Sequence, residues 1–215
     1  MKANMDDRLT QAFSLFDAGR LEAAYVLYQQ LLAEEAQLSK DQQWQLYMGL
    51  VYVLSAAKDY DGALQYAAKL LDMAQDDEDR HVALHQTAMV YRMRGQYLLA
   101  LELLAQEREI ISRTGNQPMK LAVNLYEVSL SALLEGDLPQ AAATWPEAVI
   151  YAKAAGDAMT LGCVYRVKGQ VLAAQDALPQ AASAWQKART YFEQVGDERA
   201  CHEVQALLNN AASYL

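Results

Sequence analysis

Two stretches of this chain, Asp137-Leu138-Pro139-Gln140-Ala141-Ala142 and Ala177-Leu178-Pro179-Gln180-Ala181-Ala182, are near copies forty residues apart. Aligned on the apolar residue, the motif occurs at Leu21, Tyr60, Tyr97, Leu138 and Leu178, with steps of 39, 37, 41 and 40. An alanine follows each three residues later: Ala24, Ala63, Ala100, Ala141 and Ala181. A self-similar period in this range marks a stack of supersecondary units, each burying its apolar face against its neighbours. Because such an array adds core unit by unit, the 215 residues are expected to form a single repeat domain over 1–215.

The units are helical. The chain is rich in alanine and leucine, has four prolines and lacks alternating runs of β-branched residues. A second punctuation, Gly115-Asn116, Gly156-Asp157 and Gly196-Asp197, with Asp76-Asp77 earlier, joins each unit to the next. Glycine closes a helix in the left-handed conformation and Asn or Asp caps the one after it. Five pairs of helices follow, with A helices over about 5–18, 40–57, 78–94, 117–135 and 158–174 and B helices over about 21–36, 60–75, 97–114, 138–155 and 178–195. The repeats therefore span about 5–37, 38–76, 77–115, 116–156 and 157–196, and a final helix over about 198–214 covers the last of them.

The B helices carry the packing stripe, apolar residues at spacings of three and four. Leu138, Ala141, Ala142, Trp145, Ala148, Val149 and Ala152 recur one unit later as Leu178, Ala181, Ala182, Trp185, Ala188, Phe192 and Val195. The alanines allow close approach of two helices, and Trp145 and Trp185 are expected to fill the core between repeats. Pro139 and Pro179 sit in first turns, where a missing N–H is harmless. Pro146 falls inside its helix and should kink it or remove one bond.

The net charge is −9, from 18 basic and 27 acidic residues, with the acid spread along the chain. No basic stripe is present for a phosphate backbone, so neither nucleic acid nor an anionic membrane is an expected partner. The first residues, Met1 to Arg8, contain no apolar segment, and no run of about 18 apolar residues could span a bilayer, which points to the cytoplasm. Cys163 and Cys201 form no C-x-x-C pair and read as small buried hydrophobes on neighbouring helices. No catalytic, cofactor or metal site is expected. His81 and His85 stand four apart with Glu78 one turn earlier, but no His-Glu-x-x-His pattern accompanies them. Walker, nucleophile-elbow and dinucleotide motifs are missing as well, so no enzyme is expected. The acidic run Asp76-Asp77-Glu78-Asp79 reads as a helix cap.

In Arg94-Gly95-Gln96-Tyr97-Leu98-Leu99-Ala100, preceded by Ala88 and Tyr91, a small residue, an aromatic, a turn glycine and an alanine fall at the offsets of the tetratricopeptide repeat (TPR) family. The chain resembles that family over nearly its whole length, and its long period resembles the arrays of bacterial peptide receptors. The repeats begin close to residue 1, leaving no room before them for the DNA-binding domain such receptors carry. Repeat four departs from the pattern with Ser129 and Ala132. In repeat two, Gly49 and Tyr52 stand two residues early, which suggests an insertion near Ser55–Lys58.

The resemblance implies an all-α, right-handed α-α superhelix whose A helices line a concave groove. Counting back from each turn selects Leu9, Phe13 and Phe16; Met48 and Tyr52; His85, Met89 and Arg92; Tyr126, Leu130 and Leu133; and Arg166 and Gln170. Such a surface suits an extended peptide or a partner helix. Arg92 and Arg166 either hold a partner carboxylate or form salt bridges within the array. The chaperone-tail carboxylate clamp has no matching residues. The expected function is a non-catalytic protein- or peptide-binding scaffold. The alternative is a structural or regulatory homo-oligomer that uses the array as its own interface.

Overall fold

The computed structural model of the protein describes residues 4–115 and 117–212. Among them are eleven α-helices and no strand: α1 (Met5–Asp17), α2 (Leu21–Leu32), α3 (Lys40–Ala56), α4 (Tyr60–Met73), α5 (Asp77–Arg94), α6 (Tyr97–Arg113), α7 (Pro118–Glu135), α8 (Leu138–Ala155), α9 (Ala158–Ala174), α10 (Leu178–Val195) and α11 (Glu198–Ala212). The all-α reading and the alternation of A and B helices are therefore found. One boundary differs by more than two residues: the second helix stops at Leu32, and a short 3-10 turn, Glu35–Gln37, completes the link to α3. Asn116, expected to cap α7, and residues 213–214 of the final helix lie outside the described residues.

The residues fall into two compact units, Met1–Leu103 and Leu104–Leu215. In the first, α1 pairs with α2 and α3 with α4, while α3 touches both α1 and α5. The second pairs α7 with α8 and α9 with α10, sets α7 against α9, and closes α10 with α11.

All five A-to-B turns share one geometry. Gly19, Lys58, Gly95, Gly136 and Asp176 each stand two residues before a B helix and have φ of 72°, 64°, 85°, 93° and 61°. The next amide, of Arg20, Asp59, Gln96, Asp137 or Ala177, donates to the carbonyl five residues back at 2.8 to 2.9 Å. This is the Schellman closure that satisfies the last carbonyls of a helix. Repeat two therefore carries no insertion near Ser55–Lys58: its turn is as long as the others, and Lys58 occupies the left-handed position where three other turns use glycine. Met48 and Tyr52 accordingly stand twelve and eight residues before α4, in the register of Leu9 and Phe13, His85 and Met89, Tyr126 and Leu130, and Arg166 and Gln170.

Gly49 has a different task. A Cβ on it would enter the ring of Tyr28, which projects from α2 and is almost wholly buried. The same device appears twice in the second unit, where Phe192 of α10 sits on Gly162 and Trp185 on Gly169 of α9. A B-helix aromatic laid on an A-helix glycine brings the two backbones close and fills the space between them. Buried alanines complete these contacts, among them Ala24, Ala63, Ala141 and Ala181. The joints are capped by side chains: Asp76 accepts from the Asp79 amide, Asp157 from Thr160 at 2.7 Å and Asp197 from Ala200 at 2.9 Å.

Three expectations are corrected. Trp185 is core, but Trp145 is only half-buried, because a lysine ammonium rather than a neighbouring helix lies over its ring. Val195 is 44% exposed, since α10 ends beside it and the chain turns away at Gly196. Cys163 and Cys201 are free thiols packed at the edge of the second unit's core, half-buried rather than fully enclosed.

Pro146 does not end α8, which runs unbroken from Leu138 to Ala155 with the ring facing solvent. It does leave the Ala142 carbonyl without an i+4 amide donor. Replacing Pro146 with alanine should therefore raise stability by about 1–3 kcal/mol in urea unfolding. Gly49→Ala should lower stability by about 1–3 kcal/mol, and adding Tyr28→Ala should make the glycine change nearly neutral, because the overlap disappears.

Candidate functional site

The first unit carries a cleft between α1 and α3. Along α1, Leu9 and Phe13 lie one turn apart on one face; along α3, Met48 and Tyr52 do the same. The packing of α1 against α3 brings these pairs together. Phe16 stacks on Tyr52 with centroids 5.8 Å apart, and Phe13 meets Phe16 at 6.2 Å and Tyr52 at 6.4 Å. A cleft of about 320 Å³ opens between the helices, lined by Leu9, Thr10, Phe13, Tyr28, Trp44, Gln45, Met48, Gly49 and Tyr52. Its back wall is the Tyr28 ring that Gly49 admits. Among the described residues, no charged side chain lines it.

Within this set the roles divide by burial. Leu9 is 4% exposed and belongs to the core, whereas Phe13 is 48% exposed and presents its ring outward. Phe16, Met48 and Tyr52 are half-buried. Burial, with Tyr52 nearby, pushes the Tyr28 hydroxyl up to about 12, and burial also raises that of Tyr52. The cleft thus offers apolar and aromatic surface with polar tips that stay protonated at neutral pH. Trp44 is a lining residue that counting from the turns missed, because it stands on α3 one turn before Met48, beyond the counted positions.

The remaining sequence-derived residues are placed as follows. On α5, His85, Met89 and Arg92 are half-buried, and the Arg92 guanidinium lies 3.5 Å from the Met89 sulfur. In the second unit, Tyr126 and Leu133 of α7 are half-buried, while Leu130 is 9% exposed and serves the core. Arg166 of α9 pairs with Glu203 of α11 at 2.8 Å and sits 5.8 Å from the centroid of Phe192. Of the two fates open to that arginine, the structure shows the salt bridge within the array. The Gln170 amide oxygen is enclosed and accepts no hydrogen bond among the described residues.

Sequence reading also missed a buried polar layer between α6 and α7. Asn124, wholly buried, donates to the Leu104 carbonyl at 2.8 Å and to the Glu107 carboxylate at 2.9 Å. Glu107 and Glu127 are 2% and 1% exposed. The signal was present as Asn124 and Glu127, three apart amid the apolar run of α7. Ser129 takes the small-residue position and donates to the Ala141 carbonyl at 3.0 Å. His81 lies 3.4 Å from the Glu78 carboxylate, and among the described residues no three metal-ligating side chains converge.

No protein-family model matches the sequence, and no curated protein matches it. Solved structures do. The TPR sensor-bearing signal-transduction ATPase of Pyrococcus horikoshii matches with a TM-score of 0.74 at 19% identity, over 97% of this chain and 32% of that protein. A thermophilic TPR protein of Thermus thermophilus matches at 0.68 and 16% identity, over 97% of this chain and 99% of the other. Bacillus thuringiensis PlcR, solved with the peptide PapR7 and DNA, matches at 0.71 and 18% identity, over 96% of this chain and 73% of PlcR. The chain has the TPR fold. It spans about a third of the length of the first of these proteins, and identities this low speak to fold alone. Among the described residues, no helix of this chain is long and apolar enough to cross a membrane.

Two titrations follow from this environment. The folded-state pKa of Tyr28 lies above its unfolded value near 10, so its contribution to stability is intact below pH 10 and is lost as pH rises toward 12. Denaturant melts should show stability falling over that window, and Tyr28→Phe should make the fall shallower. Burial raises the Cys163 thiol to about 11, so in the Cys201→Ser variant the carbon-13 shift of the remaining cysteine Cβ should titrate near pH 11.

Proposed function

We propose that this TPR chain is a non-catalytic, cytoplasmic scaffold that docks an extended peptide or partner helix on A-helix side chains, with the cleft between α1 and α3 as the principal contact. The observation that carries the reading is the Phe13–Phe16–Tyr52 cluster beside an uncharged cleft, with Phe13 left outside the core. A large ring held at a fixed place by its neighbours loses little freedom when a partner covers it, so its burial converts efficiently into affinity. Methionine at position 48 adds an adaptable wall. The likeness to PlcR, solved with a peptide, supports the same reading. His85, Met89 and Arg92 in the first unit, and Tyr126, Leu133 and Gln170 in the second, are the further A-helix contacts proposed.

The test uses peptides selected on the intact chain from a displayed library of random dodecamers. Phe13→Ala should weaken the selected peptides by about 10- to 100-fold, the size expected of an aromatic anchor. Its melting should stay within about 1 kcal/mol of the parent, because the ring is half exposed. Leu130→Ala is the contrasting control, expected to cost about 2–5 kcal/mol of stability. Selected peptides indifferent to Phe13, Met48 and Tyr52 would refute the assignment.

A further inference from the structure

The B-helix side of both units carries the same device, and only one copy is complete. In the first unit, Lys69 of α4 stands over the ring of Tyr47 of α3, 4.7 Å from its centroid. The Glu35 carboxylate joins them, accepting a hydrogen bond from the Tyr47 hydroxyl and lying 3.7 Å from the Lys69 ammonium. Tyr47 is thirteen residues before its B helix and Lys69 nine residues after that helix begins; Tyr165 and Lys187 hold those two positions in the last repeat. There the Lys187 ammonium again lies over the tyrosine ring, 5.5 Å from the centroid.

The second copy differs in what surrounds the lysine. The link before α3 is long enough to fold the turn that presents Glu35, whereas the link before α9 is the tight Gly156-Asp157 joint. Lys168 adds a second ammonium, 4.5 Å from the Trp145 centroid and 5.7 Å from that of Tyr165. Among the described residues, neither Lys168 nor Lys187 has a carboxylate within salt-bridge distance, although the chain holds 27 acidic residues. A cleft of about 290 Å³ opens beside them, between α8 and α10 with α9 as its floor, lined by Trp145, Tyr165, Lys168, Leu172, Ser183 and Lys187 among others. Burial first, and then the neighbouring charges of Lys187 and Lys153, lower the Lys168 pKa.

We propose that this cleft binds the carboxylate of an aspartate or glutamate side chain on a peptide partner, held by Lys168 and Lys187 as Glu35 is held by Lys69 and Tyr47. Cation–π contact biases both ammonium groups toward the rings before the ligand arrives, although Lys187 itself is exposed. Trp145 and Leu172 give the neighbouring apolar residue of the peptide a wall. A net charge of −9 disfavours a polyanion such as nucleic acid, while one or two carboxylates can approach two neighbouring ammonium groups. Lys168 is two residues from both Arg166 and Gln170, roughly 200° round α9, so this contact lies on the opposite face from the A-helix positions. The inference adds a second site and rests on the peptide-binding reading above.

The three tryptophans separate the two sites in one experiment, since Trp44 lines the first cleft, Trp145 the second, and Trp185 is buried. Indole N–H signals of the nitrogen-15-labelled full chain, assigned with Trp145→Phe, are followed while acetyl-Leu-Glu-Leu-Glu-amide is added, then its Gln counterpart, then inorganic phosphate. The Glu peptide should shift Trp145 saturably, the Gln peptide at least tenfold more weakly, and phosphate little. Lys187→Met and Lys168→Met/Lys187→Met, with unchanged Trp185 signals showing an intact fold, should each weaken the Glu peptide at least several-fold. A Trp145 signal unmoved at millimolar peptide, equal binding of the Gln peptide, saturation by phosphate alone, or indifference to the lysine variants would each overturn the proposal. A shift confined to Trp44 would do so while upholding the first cleft.

Discussion

The seating of a B-helix aromatic on an A-helix glycine sets the spacing on which each unit depends. Tyr28 on Gly49, Phe192 on Gly162 and Trp185 on Gly169 each replace a side chain with a ring, so two helices meet at backbone distance without leaving a void. Dispersion and burial both reward that contact, and a single methyl group is enough to oppose it. Alanines at the start of each B helix extend the close contact along the pair. With spacing fixed in this way, the identical closures at the five turns hold every A helix in one register.

That register determines where chemistry can appear. Positions twelve and eight residues before a B helix fall on one face, and in the first unit they assemble an aromatic cleft with no charge in its lining. Positions on the other side meet the neighbouring B helices and carry lysines over aromatic rings. The two clefts thus differ in chemistry: the one in the first unit is lined by uncharged, mostly apolar side chains, the one in the second by two lysines over aromatic rings.

Much of the fold was legible because its signals are local. Helix starts, left-handed closures and Asp caps each depend on a few neighbouring residues, and α8 and α10 were bounded as observed. The failures came where a local sign has more than one physical use. Gly49 reads locally as the small residue of its repeat and implies an insertion, whereas it serves the Tyr28 ring and the register is unbroken. Trp145 matched Trp185 in position but not in burial, since lysine rather than a helix covers it. Phe13, Met48 and Tyr52 come from the register that the family resemblance implies, and they line one cleft. Trp44, the Glu35 contact and the Asn124–Glu107 bond were not legible, because each depends on how separate helices face one another.

The most direct measurement is photocrosslinking with p-benzoylphenylalanine placed at position 13, on α1, or at position 98, an exposed leucine on α6. With a peptide selected on the intact chain, the expected result is a covalent adduct from position 13 and none from position 98. An adduct from position 98 with none from position 13 would contradict the assignment of the α1–α3 cleft as the docking site.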